Sequence, residues 1–330
     1  MEDLLLIGVL VSDSIPREFQ VRGMRREAEE VLSIELTPCA GTLPEISPGS
    51  HIDLHLGNGL VRSYSLMNSP QERDSYRIGV FRDPGSEGGS KYIHDHLRVG
   101  QLLRIDPPRN NFALHEGGEH SVFFAGGIGV TPFIAMAAAL NARGHAWTLY
   151  YSCRNRSRAA FMDTLQRLAV DGGGRVEFHF DDEADGRLLD IRGIVGAVGP
   201  DDHLYCCGPS GMLAAYRDIC ANLPPDRVHF EYFASDAGLA SEGGFDVVLA
   251  KSGRRINIPP GNTILEALGA AGVTVPYSCQ QGICGACEVK VLSGVPDHRD
   301  MILSDAERAS NETMLICCSG ALSDELVIDL

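Results

Sequence analysis

A chain of 330 residues, 44% hydrophobic and 22% charged, is expected to form two or three domains, because single cores stop growing near roughly 250–300 residues. Its net charge of −16 repels nucleic acid and anionic membranes, and with no run of 18 apolar residues no transmembrane helix is expected. The short apolar stretch near the start follows Glu2 and Asp3 rather than the basic region of a signal peptide, so a cytoplasmic protein is expected, with its ten cysteines turned to metal or redox use.

The first hundred residues read as short strands. "HIDLHL" (His51–Leu56) alternates, with Ile52, Leu54 and Leu56 on one face and His51, Asp53 and His55 on the other. The polar set is expected to be the wet face of the strand. Asn58-Gly59 is a hairpin turn, "LVRSYSL" (Leu60–Leu66) returns, and "SYRIGVF" (Ser75–Phe81) is a third strand. Such strands with turn signals between them suggest an antiparallel barrel. "SEGGSKYIHDHL" (Ser86–Leu97) then leads a glycine turn into a helix. Gly88, Gly89 and Ser90 would turn N–H groups toward a phosphate, although Ser90 would serve equally as an ordinary N-cap.

From about Ser121 strands alternate with helices. "SVFFAGGIGVTPFIAMAAALNARG" is strand, glycine turn and helix. "AWTLYYSCR" (Ala146–Arg154), "RVEFHFDD" (Arg175–Asp182) and "HLYCCGPSGMLAAYRDICANL" continue the theme, with a helix near Ala159–Ala169 and "HFEYF" (His229–Phe233) at the end. This order means a parallel α/β sheet, whose ligands belong at the carboxyl ends of the strands. Arg154, Arg156 and Arg158 cluster beyond the second strand, and no acidic residue follows that strand. Local charge would therefore admit a 2′-phosphate.

"FASDAGLASEGG" (Phe233–Gly244) reads as a linker. After it come a hairpin around Ser252-Gly253, a short helix "NTILEALGAAG" capped by Asn262 or Thr263, a cysteine loop, and the strands "CEVKVLSG" and "ELVIDL". Cys279, Cys284, Cys287 and Cys317 spell Cys-x4-Cys-x2-Cys-x29-Cys, the spacing of a plant-type [2Fe-2S] site. Zinc is the rival, but its sites usually show paired Cys knuckles, and here there is one close pair. Cys318 competes with Cys317 as fourth ligand, and the spacing favours Cys317. Gly282, Gly285, Ser278 and Ala286 are small, as a loop wrapped closely on a cluster requires.

The segment Phe245–Leu330 resembles a plant-type ferredoxin domain. Arg62, Ser63, Tyr64 and Ser65 resemble the flavin-binding strand of the ferredoxin–NADP reductase superfamily. That resemblance implies that the arginine meets phosphate, the tyrosine packs on the flavin and the Ser65 hydroxyl reaches the flavin N5 region. "AGGIGVTP", with Gly126, Gly127, Gly129, Thr131 and Pro132, is similar to the nicotinamide-nucleotide turn of the same superfamily. "CGP" (Cys207, Gly208, Pro209) is similar to its second such turn, with Cys207 near the hydride path. Phe233 matches the aromatic that covers the flavin ring and must move aside for nicotinamide.

Over nearly its full length the chain resembles phthalate dioxygenase reductase and the reductase of vanillate O-demethylase, through "RSYSL", "RDP…GGS", "AGGIGVTP", "CGP", "SCQQGICGAC", "PDHRD" and "CCS…LVIDL". One departure is Gly320, where the family often has a basic residue. The resemblance implies a multidomain protein. Residues 1–115 would be an antiparallel β-barrel flavin domain and 116–233 an α/β parallel-sheet nucleotide domain. A linker at 234–244 and an α+β plant-type ferredoxin domain at 245–330 would follow. It implies FMN, NADH and one [2Fe-2S] cluster, a monomer, and a Rieske-type terminal oxygenase as electron acceptor. An FAD enzyme of the same domain order, or an electron carrier without NADH turnover, are the alternatives.

Overall fold

The computed structural model describes residues 16–85, 88–115, 117–118, 120–233, 238–277 and 279–330. The first fifteen residues, Ser86, Ser278 and the first four positions of the expected linker, 234–237, lie outside the described residues. Three main sheets follow one another along the chain, with a two-stranded ribbon beside the third.

The first contains β1 (Arg17–Ala28), β2 (Val31–Pro38), β3 (Ser50–His55), β4 (Val61–Ser65), β5 (Tyr76–Phe81), then α1 (Gly89–His96), β6 (Leu102–Ile105) and β7 (Arg109–Asn110). Its order is β4-β3-β6-β1-β2-β5, with β7 also on β3, and every pairing is antiparallel. A bridge between Leu66 and Ile78 joins the two outer strands and closes the barrel. Ile52 and Leu54 point into a core with Phe19, Val21, Ile34, Leu36 and Ile78. The expected hairpin is present, with Gly59 at φ +86°, where a side chain would be strained.

The second contains β8 (His120–Gly126), α2 (Thr131–Arg143), β9 (Ala146–Cys153), α3 (Met162–Gly172), β10 (Arg175–Phe180), α4 (Ile191–Val195), β11 (His203–Cys207), α5 (Ser210–Cys220) and β12 (Val228–Glu231). It is wholly parallel in the order β10-β9-β8-β11-β12. The chain winds outward in both directions from β8, so the crevice for a ligand opens between the carboxyl ends of β8 and β11. The interior of β8, Val122–Ala125, is fully buried, as two-sided helix cover dictates.

The third contains β13 (Phe245–Leu249), β14 (Arg255–Ile258), α6 (Ile264–Ala270), β15 (Glu288–Ser293), β16 (Pro296–Asp297), α7 (Asp305–Ser310), β17 (Thr313–Leu315), β18 (Gly320–Ala321) and β19 (Glu325–Ile328). The main order is β14-β13-β19-β15-β17, with only β13 and β19 parallel. Thr263 caps α6 in a reciprocal capping box with Glu266, and Ser304 caps α7 the same way with Glu307.

The wet face expected of β3 is a correction. His51 and Asp53 are 6% and 1% exposed, because β4 and β7 pair on either side of His51 and Ser63 and Arg109 bond to Asp53. Only His55 behaves as expected, part-exposed and bonded to Asp106 at 2.8 Å.

Candidate electron-transfer site

Strand β4 carries Arg62, Ser63, Tyr64 and Ser65 alongside β3, with Ser65 opposite His51 and Ser63 opposite Asp53. Ser63 donates to Asp53 at 2.6 Å, and Arg109 of β7 closes on the same carboxylate. The buried Asp53 carboxylate thus ties the middle of β4 to β3 and β7. Arg62 lies across Gly89: a Cβ there would stand 2.6 Å from Arg62 Cγ. Gly88 caps α1 at φ +113°, and Ser90 sits in the first turn, its hydroxyl accepting from the Asp83 N–H at 3.2 Å. The guanidinium and the N–H groups of a helix start thus share one place, which suits a phosphate. Tyr64 packs on the barrel core, and burial pushes its phenol well up.

The two nucleotide turns are brought into backbone contact. A Cβ on Gly129 would fall 2.2 Å from the Cys207 carbonyl oxygen, and one on Gly126 would fall 2.4 Å from Pro209. Only glycine fits either position. Pro132 lies in the first turn of α2, where its missing N–H costs nothing. Thr131 donates to Ile128 O at 3.0 Å and reaches Gly79 of β5, so this turn abuts the barrel. Gly208 lies against Gly126, and Phe233 packs on the core that holds Cys207.

Glu231, at the end of β12, pairs in register with Cys207. The residue is part-exposed as a whole, yet its Oε2 is sealed without a partner among the described residues. Burial raises its carboxyl to about 8, so it carries a proton at neutral pH. Burial, with Glu231 adding to it, also keeps Cys207 a thiol.

In the third sheet Cys279, Cys287 and Cys317 are each 2% exposed, and Cys284 is half-buried. Their thiols form a chain of contacts, Cys284 to Cys279 to Cys317 to Cys287. The thiol of Cys284, then that of Cys317, holds Cys279 down to about 2, while Cys284 and Cys317 are pushed up in exchange. Cys287 is likewise held down by Cys317, so two thiols are favoured as thiolates and two are not, and ionising all four needs added cations. That donor set fits an iron–sulfur cluster, whose ferric ions bind four thiolates. Among the described residues no three His, Cys, Asp or Glu side chains close on a single ion.

Backbone N–H groups of Gln281 and Ile283 turn toward Cys279, the former at 3.3 Å. Gln280, Gly282 and Gly285 take positive φ to allow it. Cys318 is fully buried and bonded to Leu315 O at 3.6 Å. Below the loop, Met301 donates to Gly282 O at 3.0 Å, and Asp300 accepts from Leu303 at 2.8 Å.

The loop is seated on the rest of the molecule. Asn111, just past β7, donates to Cys284 O at 2.9 Å. Ile283 and Met301 pack on an apolar cluster of the second sheet that includes Tyr232 and Met212. The sequence reading missed Glu231, Asn111 and His51. Glu231 stood inside "HFEYF", and a carboxyl beside two aromatics was the available signal.

Residues 123–218 match the family model for an oxidoreductase NAD-binding domain, and residues 247–322 match that for a 2Fe-2S iron-sulfur cluster binding domain. The chain is 49% identical to tetrachlorobenzoquinone reductase of Sphingobium chlorophenolicum, over 95% of this chain and 98% of that one. It is 50% identical to phenoxybenzoate dioxygenase subunit beta of Ectopseudomonas oleovorans, over 96% and 98%. It is 43% identical to vanillate O-demethylase oxidoreductase of a Pseudomonas species, over 95% and 99%. Among solved structures it is similar to phthalate dioxygenase reductase, with a TM-score of 0.77, 36% identity and coverage of 96% and 98%. All of it also aligns with 43% of an intact type IV self-sufficient cytochrome P450 monooxygenase, at a TM-score of 0.79 and 38% identity.

Proposed function

The chain belongs to the phthalate dioxygenase reductase and vanillate O-demethylase oxidoreductase family, and from that premise we propose that it uses NADH and FMN to supply a Rieske-type terminal oxygenase acting on an aromatic compound. It is an NAD(P)H-dependent flavin and iron–sulfur oxidoreductase, the reductase component of an oxygenase or O-demethylase system. No helix among the described residues is long and apolar enough to cross a membrane.

When bound, flavin accepts hydride from the reduced nicotinamide, and the cluster passes electrons on one at a time. The side chains divide the remaining work. Arg62 and the α1 start, Gly88 to Ser90, hold the flavin phosphate. Tyr64 packs on the ring system, and Ser65 offers its hydroxyl at the hydride-accepting edge. Gly126, Gly127, Gly129, Thr131 and Pro132 with Cys207, Gly208 and Pro209 frame the nicotinamide. Phe233 covers the ring until the nucleotide displaces it. Glu231, protonated at neutral pH, can donate a hydrogen bond into that pocket. Cys279, Cys284, Cys287 and Cys317 hold the cluster. The domain limits proposed are 1–115, 116–233 and 245–330, with 234–244 as the connection.

The observation that carries this reading is the hydrogen bond from Asn111 to Cys284 O. It places the cysteine loop against the barrel that carries the flavin motif. The test is to release the flavin, identify it by mass, and measure cytochrome c reduction with NADH. FMN and rapid NADH-dependent reduction support the reading. FAD would correct the flavin, and binding without turnover would make the protein a carrier.

A second reading is direct reduction of a quinone, favoured by the 49% identity to tetrachlorobenzoquinone reductase. It predicts quinone-dependent NADH oxidation that survives loss of the cluster in Cys284→Ser.

A further inference from the structure

His51 is a buried ring with nothing bonded to it. It is 6% exposed, and neither ring nitrogen has a hydrogen-bond partner among the described residues. An unpaired buried polar group is costly, and native structures leave few of them. The surroundings identify what is missing. Across β4 it pairs with Ser65, and across β7 it pairs with Arg109. Arg109 is already committed to Asp53. Two residues on, Asn111 grips the Cys284 carbonyl. Cys279 lies within electrostatic reach of the ring. The imidazole thus lies on the strand paired with the one proposed to carry the flavin, two residues before Asp53 and beside the strand whose next residue, Asn111, holds the cysteine loop.

Whatever its charge, an imidazole offers at least one N–H donor. A neutral imidazole keeps one N–H donor and one acceptor. An iron–sulfur cluster presents sulfur acceptors whose charge grows on reduction, and N–H donors to sulfur raise its potential.

We propose that His51 is a positioning residue for the electron's crossing from flavin to cluster. Its ring N–H donates to sulfur at the Cys279 end of the cluster and steadies the loop against β4. This rests on the proposed occupancy by flavin and [2Fe-2S]. In the crossing, reduced flavin loses one electron and the diferric cluster gains it. No bond forms or breaks, and His51 keeps its proton.

The test uses full-length holoprotein of the wild type, His51→Leu and His51→Gln. Cluster and flavin are titrated anaerobically, with EPR and visible absorbance as separate readouts, and stopped flow follows each step. In His51→Leu the equilibrium constant for moving one electron from flavin to cluster falls at least about threefold, in line with the loss of an outer-shell partner. The crossing rate falls with it, while flavin reduction by NADH is unchanged. His51→Gln, which keeps an N–H donor, recovers most of both. If His51→Leu does not retain its cluster, His51→Met, equally without a donor, takes its place under the same criteria. A loaded variant with unchanged cluster potential and crossing rate overturns the inference, as does a change confined to the flavin. Wild-type protein lacking flavin or a [2Fe-2S] signal would instead overturn the underlying reading.

Discussion

Gly282 and Cys318 fit together without room for a methyl group: a Cβ on Gly282 would stand 2.6 Å from the Cys318 sulfur. Gly282 also holds φ +70°, where alanine is strained. Cys318 is thus a packing residue beneath the loop, and Cys317 is the one in contact with Cys279 and Cys287. The expected outcome is loss of the [2Fe-2S] EPR signal in Cys317→Ser and its retention in Cys318→Ser. Gly282→Ala should lower cluster content and destabilise the protein by at least about 1 kcal/mol. A signal kept in Cys317→Ser and lost in Cys318→Ser would reverse the assignment.

Glu231 sets a pH dependence on the alkaline side. Its folded carboxyl is raised to about 8 from 4.5 by burial, so the folded state binds the extra proton between those values. Its contribution is complete below 4.5 and is lost as pH rises through 8, by at most about 1.4 kcal/mol per pH unit. Urea midpoints across pH 5–8.5 should therefore fall less steeply in Glu231→Gln than in the wild type. Parallel curves would show that the carboxyl ionises as freely folded as unfolded.

The acid side is set at the opposite end of the same sheet. His203 bonds His229 at 3.0 Å and stacks on His115 with centroids 4.0 Å apart. Burial first, then His203 and His115, lowers His229 from 6.5 to about 4. A depressed base contributes stability above its unfolded value, and that stability is lost as pH falls from 6.5 toward 4. His229→Asn should flatten this limb of the urea-midpoint profile and leave the Glu231 limb in place. An unchanged acid limb would remove the histidine stack from the account.

Glu183 is the residue expected to bias nucleotide choice. The sequence shows no acid after β9, but the parallel partner β10 ends beside it in Asp181, Asp182 and Glu183. Glu183 takes Arg156 in two hydrogen bonds of 2.8 and 3.1 Å, and Arg158 lies 3.8 Å from Glu29. A 2′-phosphate would meet two of the three arginines already occupied, with carboxylates nearby. The expected preference is for NADH, and Glu183→Gln should raise the NADPH-to-NADH ratio of kcat/KM about tenfold, or 1.4 kcal/mol. The comparison is made at one ionic strength, because the pair is exposed and screened. An unchanged ratio would place the discrimination elsewhere.

Strand and helix types were legible wherever burial is one-sided or complete. β3 alternates, β8 is continuously apolar, and the Asn58-Gly59 and Ser252-Gly253 turns lie where the sequence puts them. The cysteine spacing foretold the thiol cluster because the ligands are covalently ordered along one loop. His51 was misread because alternation reports two faces but not what later covers them. The cover includes Arg109 of β7, more than fifty residues away. Glu231 and Glu183 were missed for the same reason, since each acquires its role from a neighbouring parallel strand rather than from its own segment.

The central claim is that electrons from NADH reach the cluster through the flavin within this one chain. Its most direct test mixes full-length holoprotein with one equivalent of NADH anaerobically and follows flavin absorbance by stopped flow and the cluster by freeze-quench EPR. The account predicts that the flavin bleaches first and that the reduced [2Fe-2S] signal then grows at the rate of partial flavin reoxidation. A flavin that stays fully reduced beside an oxidised cluster would contradict it.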